Sequence, residues 1–93
     1  MSAFNRPNFP LGQLVATPNA LARITRDDIM AALRRHLSGD WGDVCAEDKQ
    51  TNDRAVVEGT RILSSYQAAD GTKFWIITEA DRSVTTVLLP EDY

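Results

Sequence analysis

The acidic side chains between positions 40 and 58 are the part of this sequence most suited to chemistry at a protein surface. Carboxylates at short spacing can bind a metal ion, act as a pair in hydrolysis or attract a basic partner. The acidic residues are Asp40, Asp43, Glu47, Asp48, Asp53 and Glu58, opposed by Lys49 and Arg54. Their spacing and their neighbours decide among these three uses.

The spacing of these acids does not fit a metal site. A calcium loop alternates oxygen ligands and has a glycine at its sixth position. Counted from Asp40, Trp41 and Val44 interrupt the alternation and Cys45 stands sixth. Zinc sites need several Cys and His ligands, and the chain has one of each. No cleft for a carboxylate pair is visible either, so we expect no metal, no cofactor and no hydrolase of this kind.

A cysteine–histidine nucleophile is the remaining catalytic arrangement, because His36 and Cys45 are the only residues of their types. The imidazole would have to lie within hydrogen-bond reach of the thiol and be oriented by a third group. His36 instead falls beside apolar helix positions, and Cys45 follows Val44 in a loop. We therefore expect no catalytic residue, and a small hydrolase is the least favoured hypothesis.

Attraction of a basic partner is the use that the acidic segment fits best. The predicted helix over residues 46–58 has a thin apolar stripe, so most of its carboxylates should face water. Trp41 adds an aromatic side chain of the kind that dominates binding energy when a partner buries it. The predicted partner-binding residues are Asp40, Trp41, Asp43, Glu47, Asp48, Asp53 and Arg54. Their complement is the basic surface of a host protein or of a nucleic-acid-binding complex.

The charge distribution supports an alternative function of a different class. Residues 1–39 carry five Arg and two Asp, whereas residues 40–93 carry five basic and eleven acidic residues. A nucleic-acid-associated regulator, acting as a dimer, could use the Arg-bearing second helix. Its candidate contacts are Arg23, Arg26, Arg34 and Arg35. The net charge of −3 makes this the weaker hypothesis.

Three helices are predicted upstream of the sheet. They are one or two turns over residues 19–23, a helix from Thr25 to Ser38-Gly39, and a helix over residues 46–58 that ends at Gly59. Thr17 followed by Pro18 is typical of a helix start, as is Thr25 with Asp28 three residues later. Apolar residues at helical spacing, such as Leu33 and Leu37, form one stripe on the second helix.

The C-terminal third predicts a β-meander. Strands over residues 61–68, 73–80 and 84–89 are separated by short turns, and the uncharged run Leu11–Thr17 predicts a fourth strand at an edge. The fold class is therefore α+β, with two or three helices on an antiparallel three- to four-stranded sheet. Trp75 and Ile77 lie on the outer face, which predicts a sticky patch that could form a homodimer.

Length and composition predict a single α+β domain over residues 11–93, preceded by a mobile arm over residues 1–10. The lone Cys45 favours a reducing compartment. No apolar run is long enough to span a membrane, and no secretory signal begins the chain. We therefore expect a cytoplasmic protein without a membrane partner.

The strings Asp40-Trp41-Gly42, Asn52-Asp53-Arg54 and Trp75-Ile76-Ile77-Thr78-Glu79-Ala80-Asp81-Arg82 carry a family resemblance. Over Leu11 to Tyr93 the chain resembles a family of small uncharacterised proteins encoded on plasmids, prophages and other mobile elements of proteobacteria. It departs from the family at Val44-Cys45, where an acidic or polar pair is expected. The resemblance brings no activity with it. By analogy it implies a non-enzymatic inhibitor of host defence, of the anti-CRISPR or antirestriction type.

Overall fold

The computed structural model describes residues 7–93 and has the predicted α+β fold. The elements in chain order are β1 Gln13–Ala16, α1 Pro18–Arg23, α2 Arg26–Leu37, α3 Ala46–Glu58, β2 Ile62–Gln67, β3 Lys73–Thr78, β4 Val84–Leu88 and a short 3-10 turn, η1, Pro90–Asp92. Three helices and four strands are thus formed close to the positions that local sequence signals indicate.

The four strands form one sheet in the order β1-β4-β3-β2. β2, β3 and β4 make the expected antiparallel meander, with Ile76 opposite Ser64 on one side and Val87 on the other. β1 joins at the edge as predicted but runs parallel to β4, so the sheet is mixed and not wholly antiparallel. The parallel direction is available because no hairpin links β1 to β4: three helices and two strands separate them in the chain.

The helix starts follow from their caps. The Thr17 hydroxyl accepts a hydrogen bond from the Ala20 amide, and the Thr25 hydroxyl accepts one from the Asp28 amide, both at 3.1 Å. Each bond satisfies a backbone donor that has no partner inside the helix. The C-terminal turn reinforces the first of these caps, because Thr17 also donates to Asp92 at 2.6 Å.

The core lies between the helices and the inner face of the sheet. Phe74, Ile76 and Val87 on that face are at most 1% exposed, and they pack with residues of α2 such as Leu33. Burying each such side chain stabilises the fold by about 2 kcal/mol. A second cluster under α3 contains Phe9, Trp41, Ala55 and Ile62.

The predicted N-terminal arm is only partly described, because residues 1–6 lie outside the described residues. Within the predicted arm, Asn8 and Phe9 contact the body of the domain. The Asn8 amide donates to the Leu37 carbonyl at 2.8 Å, and Phe9 is 5% exposed. The phenyl ring is buried because it completes the apolar cluster under α3.

The outer face of the sheet does not expose the apolar patch that the prediction of a homodimer there requires. Ile77 and Leu88 are buried, and Trp75 is half-buried. The C-terminus covers part of this face, since the Tyr93 ring contacts Trp75 edge-on with 5.7 Å between ring centroids. Within residues 7–93, no helix is both long and apolar enough to cross a membrane.

Candidate protein-binding surface

Helix α3 covers the edge of the sheet at β2 and is held there mainly by polar contacts. Only Asn52 and Ala55 are buried among its thirteen residues. The Asn52 side-chain amide donates to the Leu63 carbonyl at 2.8 Å and accepts from the Leu63 amide at 3.3 Å. Asn52 therefore pairs with β2 at the place where a further strand would pair.

The turn before α3 closes the next position along the same edge. Gly42 forms a bridge to Ser65, in which the Asp43 amide donates to the Ser65 carbonyl at 2.7 Å and the Ser65 amide donates to the Trp41 carbonyl at 3.1 Å. Gly42 has φ 74°, and a Cβ at this position would lie 2.0 Å from the Ser65 carbonyl oxygen. Only glycine permits this close backbone approach.

Trp41 is a core residue, so the prediction that it offers its ring to a partner is wrong. The side chain is 2% exposed and packs against Phe9 and His36. Its indole N–H donates to the Asp53 carboxylate at 2.9 Å, which satisfies the polar end of the ring. Phe9 comes from the N-terminal segment, and this long-range contact is the reason that Trp41 can be buried.

Asp40 and Asp53 already have partners within the domain. Asp40 forms a bidentate ion pair with Arg35, with N–O distances of 2.8 and 3.2 Å, and also accepts from the Gly42 amide. The Arg35 hydrogen bond is the main cause that lowers the pKa of Asp40, and the Gly42 amide adds to it. These two carboxylates therefore position the turn and α3 and are not the free acids of the predicted site.

Three predicted acids remain available at the start of α3. Asp43, Glu47 and Asp48 are exposed and form no ion pair within residues 7–93. Arg54 is likewise exposed on α3 without an ion pair in the described chain. We call Asp43, Glu47 and Asp48 the acidic surface. Because the turn and the helix that carry it are fixed to β2, it can attract cationic groups without first being ordered.

Arg82 positions the end of α3, and no pattern in the sequence predicts this role. It lies in the turn between β3 and β4, and its guanidinium donates to the carbonyls of Ala55 at 2.9 Å, Thr60 at 2.7 Å and Glu79 at 3.1 Å. The first two acceptors belong to the end of α3 and the residues that follow it, so Arg82 ties this end of the helix to the hairpin. A turn arginine gives no local signal for such a contact.

Replacing Arg82 by alanine is expected to lower the free energy of unfolding by about 2 to 3 kcal/mol, because three charge-assisted hydrogen bonds are lost. Urea denaturation measures this loss, and amide exchange should speed up in the last turn of α3. Arg54→Ala, an exposed arginine on the same helix, is the matched control and should change stability by less than about 0.5 kcal/mol. Equal losses in the two variants would contradict the role of Arg82.

His36 and Cys45 are not brought together. The His36 side chain is fully buried, with Nδ1 2.5 Å from the Ser64 hydroxyl and Nε2 2.9 Å from the Thr78 hydroxyl. Cys45 is exposed at the start of α3, where its sulfur accepts from the Asp48 amide at 3.5 Å. Neither ring nitrogen of His36 is therefore free to activate the thiol. In the described part of the chain, no three His, Cys, Asp or Glu side chains are grouped so as to hold a metal ion.

The arginines of the alternative function divide into two kinds. Arg23 pairs with Glu91 at 3.1 Å, and Arg35 pairs with Asp40. Arg26 and Arg34 are exposed and have no ion pair within residues 7–93. Binding of nucleic acid through α2 stays a prediction that would rest on these two side chains.

Comparison with protein-family models, with curated proteins and with solved structures gave no match for this chain.

Proposed function

We propose that this protein is a small cytoplasmic, non-enzymatic interaction protein whose acidic surface binds a basic surface of a host protein or nucleic-acid-binding complex. The observation that supports the proposal most directly is the exposure of the Asp43, Glu47 and Asp48 carboxylates. They are exposed and without ion pairs in the described chain, on backbone fixed to β2. The family resemblance adds, by analogy, that the role is inhibition of host defence by a mobile element.

The way in which α3 is attached supports this proposal. A surface helix is usually held by an apolar stripe on its inner side, but α3 buries only one apolar residue, Ala55. The polar contacts of Asn52, Asp53 and Arg82 supply the attachment instead. A helix held in this way can carry a largely charged surface and still be rigid, and rigidity reduces the entropy lost on binding.

Neutralising the acidic surface is expected to abolish capture of the partner without unfolding the domain. The test variant carries Asp43→Asn, Glu47→Gln and Asp48→Asn. The control carries Ala31→Lys, Ala69→Lys and Ala80→Lys, three exposed positions that change the net charge by the same amount. The immobilised proteins are incubated with bacterial lysate at low and moderate salt, and captured proteins are identified by mass spectrometry.

A partner that binds through the acidic surface should be retained by the wild type and by the control. The test variant should lose it, with an affinity at least about tenfold lower, because several charge contacts are removed together. Retention should also weaken as salt rises through about 0.5 M, since the contacts are exposed. A partner that binds the test variant as well as the wild type would refute the proposal.

A further inference from the structure

The largest exposure of apolar side chains lies at the β1 edge of the sheet. Within residues 7–93, four of the six exposed large apolar side chains line one open groove between β1, α1 and α2, with a volume of about 530 Å³. These are Leu14, Val15, Leu21 and Met30, which are 40%, 37%, 64% and 38% exposed. Ile24, Ile29 and Val87 also line the groove, so the apolar surface continues down to the core.

The backbone of β1 is open along the same edge. The Gln13 amide donates to the Ser83 carbonyl at 3.0 Å and the Thr17 amide donates to the Val87 carbonyl at 2.9 Å. Backbone groups alternate sides along a strand with a period of two residues. The N–H and C=O groups of Leu14 and Ala16 therefore point away from β4, and β1 is the outermost strand of the sheet.

The two edges of the sheet differ in what covers their backbone. Asn52 and the Gly42 bridge cover the edge at β2. At β1, residues 13–16 contain no charged residue and no proline, which are two of the devices that stop a free edge from pairing with another chain. Within residues 7–93, no strand pairs with β1 on the side away from β4, so this short strand can still pair with another chain.

We propose that this edge pairs with a second copy of the chain, in an antiparallel β1–β1 contact centred on Val15. In this register Leu14 of one copy lies opposite Ala16 of the other, and the two pairs exchange four backbone hydrogen bonds. The two Val15 side chains face each other across the two-fold axis. The two four-stranded sheets become one sheet of eight strands.

A second copy fits this edge by charge and by shape. The segment Leu11–Thr17 is uncharged, so antiparallel self-pairing brings no like charges together. Opposite each Leu14 lies the small side chain of Ala16, which leaves room for the leucine to enter the groove beside Leu21. Two β-branched valines at the centre form a favourable cross-strand pair. The contact is isologous and closes on itself, so association stops at the dimer.

A charge introduced at position 15 tests both the contact and its two-fold axis. Val15→Lys places two ammonium groups opposite each other, and Val15→Glu places two carboxylates there. Each variant alone is expected to be monomeric by size-exclusion chromatography with light scattering, with a dimer Kd at least about 100-fold above that of the wild type. Mixed in equal amounts, the two variants should form a heterodimer.

Val57→Lys, on a side chain of α3 that is 86% exposed, is the control and should remain dimeric. Circular dichroism and thermal unfolding establish that each variant is folded, which is expected because Val15 is outside the core clusters. A wild-type protein that is monomeric up to about 1 mM would overturn the proposal and leave the edge to an extended segment of another protein. Failure of the mixed variants to associate would also overturn it. Asp43, Glu47 and Asp48 take no part in this contact, so the result is independent of the proposed function.

Discussion

Replacing Gly42 by alanine should lower the free energy of unfolding by about 3 kcal/mol, because the added methyl group strains the backbone and breaks two hydrogen bonds. A left-handed backbone costs alanine about 1 kcal/mol. The added Cβ would also lie 2.0 Å from the Ser65 carbonyl oxygen and 2.8 Å from the Tyr66 ring. The bridge to Ser65 must therefore separate, and its two backbone hydrogen bonds contribute about 1 kcal/mol each. Urea denaturation at neutral pH measures the loss.

Gly59→Ala is the matched control for this experiment. Gly59 has φ 77°, close to the 74° of Gly42, but a Cβ at Gly59 would meet nothing within 4 Å. It should therefore lose only the backbone contribution of about 1 kcal/mol. The difference between the two variants isolates the close approach to β2. Similar losses in both variants would mean that the Gly42 bridge adds little to stability.

Acidification from pH 6.5 to pH 4 is expected to remove about 3 kcal/mol of stability through His36 alone. Burial, together with the charge of Arg82, lowers the pKa of His36 from 6.5 to about 4. Below pH 6.5 the unfolded chain binds a proton that the folded chain excludes, so the free energy of unfolding falls as pH decreases. The full contribution of neutral His36 to the free energy of unfolding is present above pH 6.5, and this contribution is lost by about pH 4.

In addition to the effect of burial on its pKa, the hydrogen bonds around His36 hold the neutral ring in one tautomer. Thr85 donates to the Leu11 carbonyl, which can only accept. Thr78 must then donate to Thr85 and accept from Nε2 of His36, while Ser64 donates to Nδ1. A proton on Nδ1 would face the Ser64 hydroxyl hydrogen and would have no other acceptor on this path.

The titration of His36 can be followed directly, because it is the only histidine. The ring signal in the folded protein should titrate by NMR near pH 4, and the stability curve should slope between pH 4 and 6.5. The pKa values of Asp40 and Asp92 are lowered from 3.8, so the stability that these carboxylates contribute is lost below about pH 4. Their titration therefore does not obscure the effect of His36 between pH 4 and 6.5. A folded-state titration near pH 6.5 would contradict the prediction.

The elements of this fold were predictable where their signals are local. Thr17 and Thr25 start their helices as expected, and Gly59 ends α3 in the left-handed conformation. The strands of the meander are shorter than predicted by one or two residues, but their order and their inward side chains, such as Phe74 and Ile76, are confirmed. The residues that make up a helix cap or an alternating strand pattern lie within a few positions of one another in the chain. The sequence alone therefore reveals these signals.

The remaining features depend on contacts between distant parts of the chain. The parallel direction of β1 follows from the path of the whole domain and not from Leu11–Thr17 itself. A tryptophan beside an acidic segment suits an interface or a core equally, and Phe9 decides the matter for Trp41. Arg82 reaches Ala55, 27 residues away in the chain. No spacing rule connects such pairs.

The exposure of some of these carboxylates was predictable from the sequence, but which of them have partners within the domain was not. Exposure of Asp43, Glu47 and Asp48 follows from their place at the start of a helix with few apolar residues. The engagement of Asp40 with Arg35 and of Asp53 with Trp41 depends on the turn that joins α2 to α3. The same residue types therefore serve both as a surface and as its support.

The cover that α3 places over β2 also bears on how the chain avoids forming fibres. A protein that dimerises through β1 has one free sheet edge left in each copy, and Asn52 and Gly42 close it at Leu63 and Ser65. If α3 detached, each dimer would have an open edge at both ends, and sheets could then add to one another without limit. The polar contacts that hold α3 on β2 would thus oppose aggregation as well as stabilise the fold.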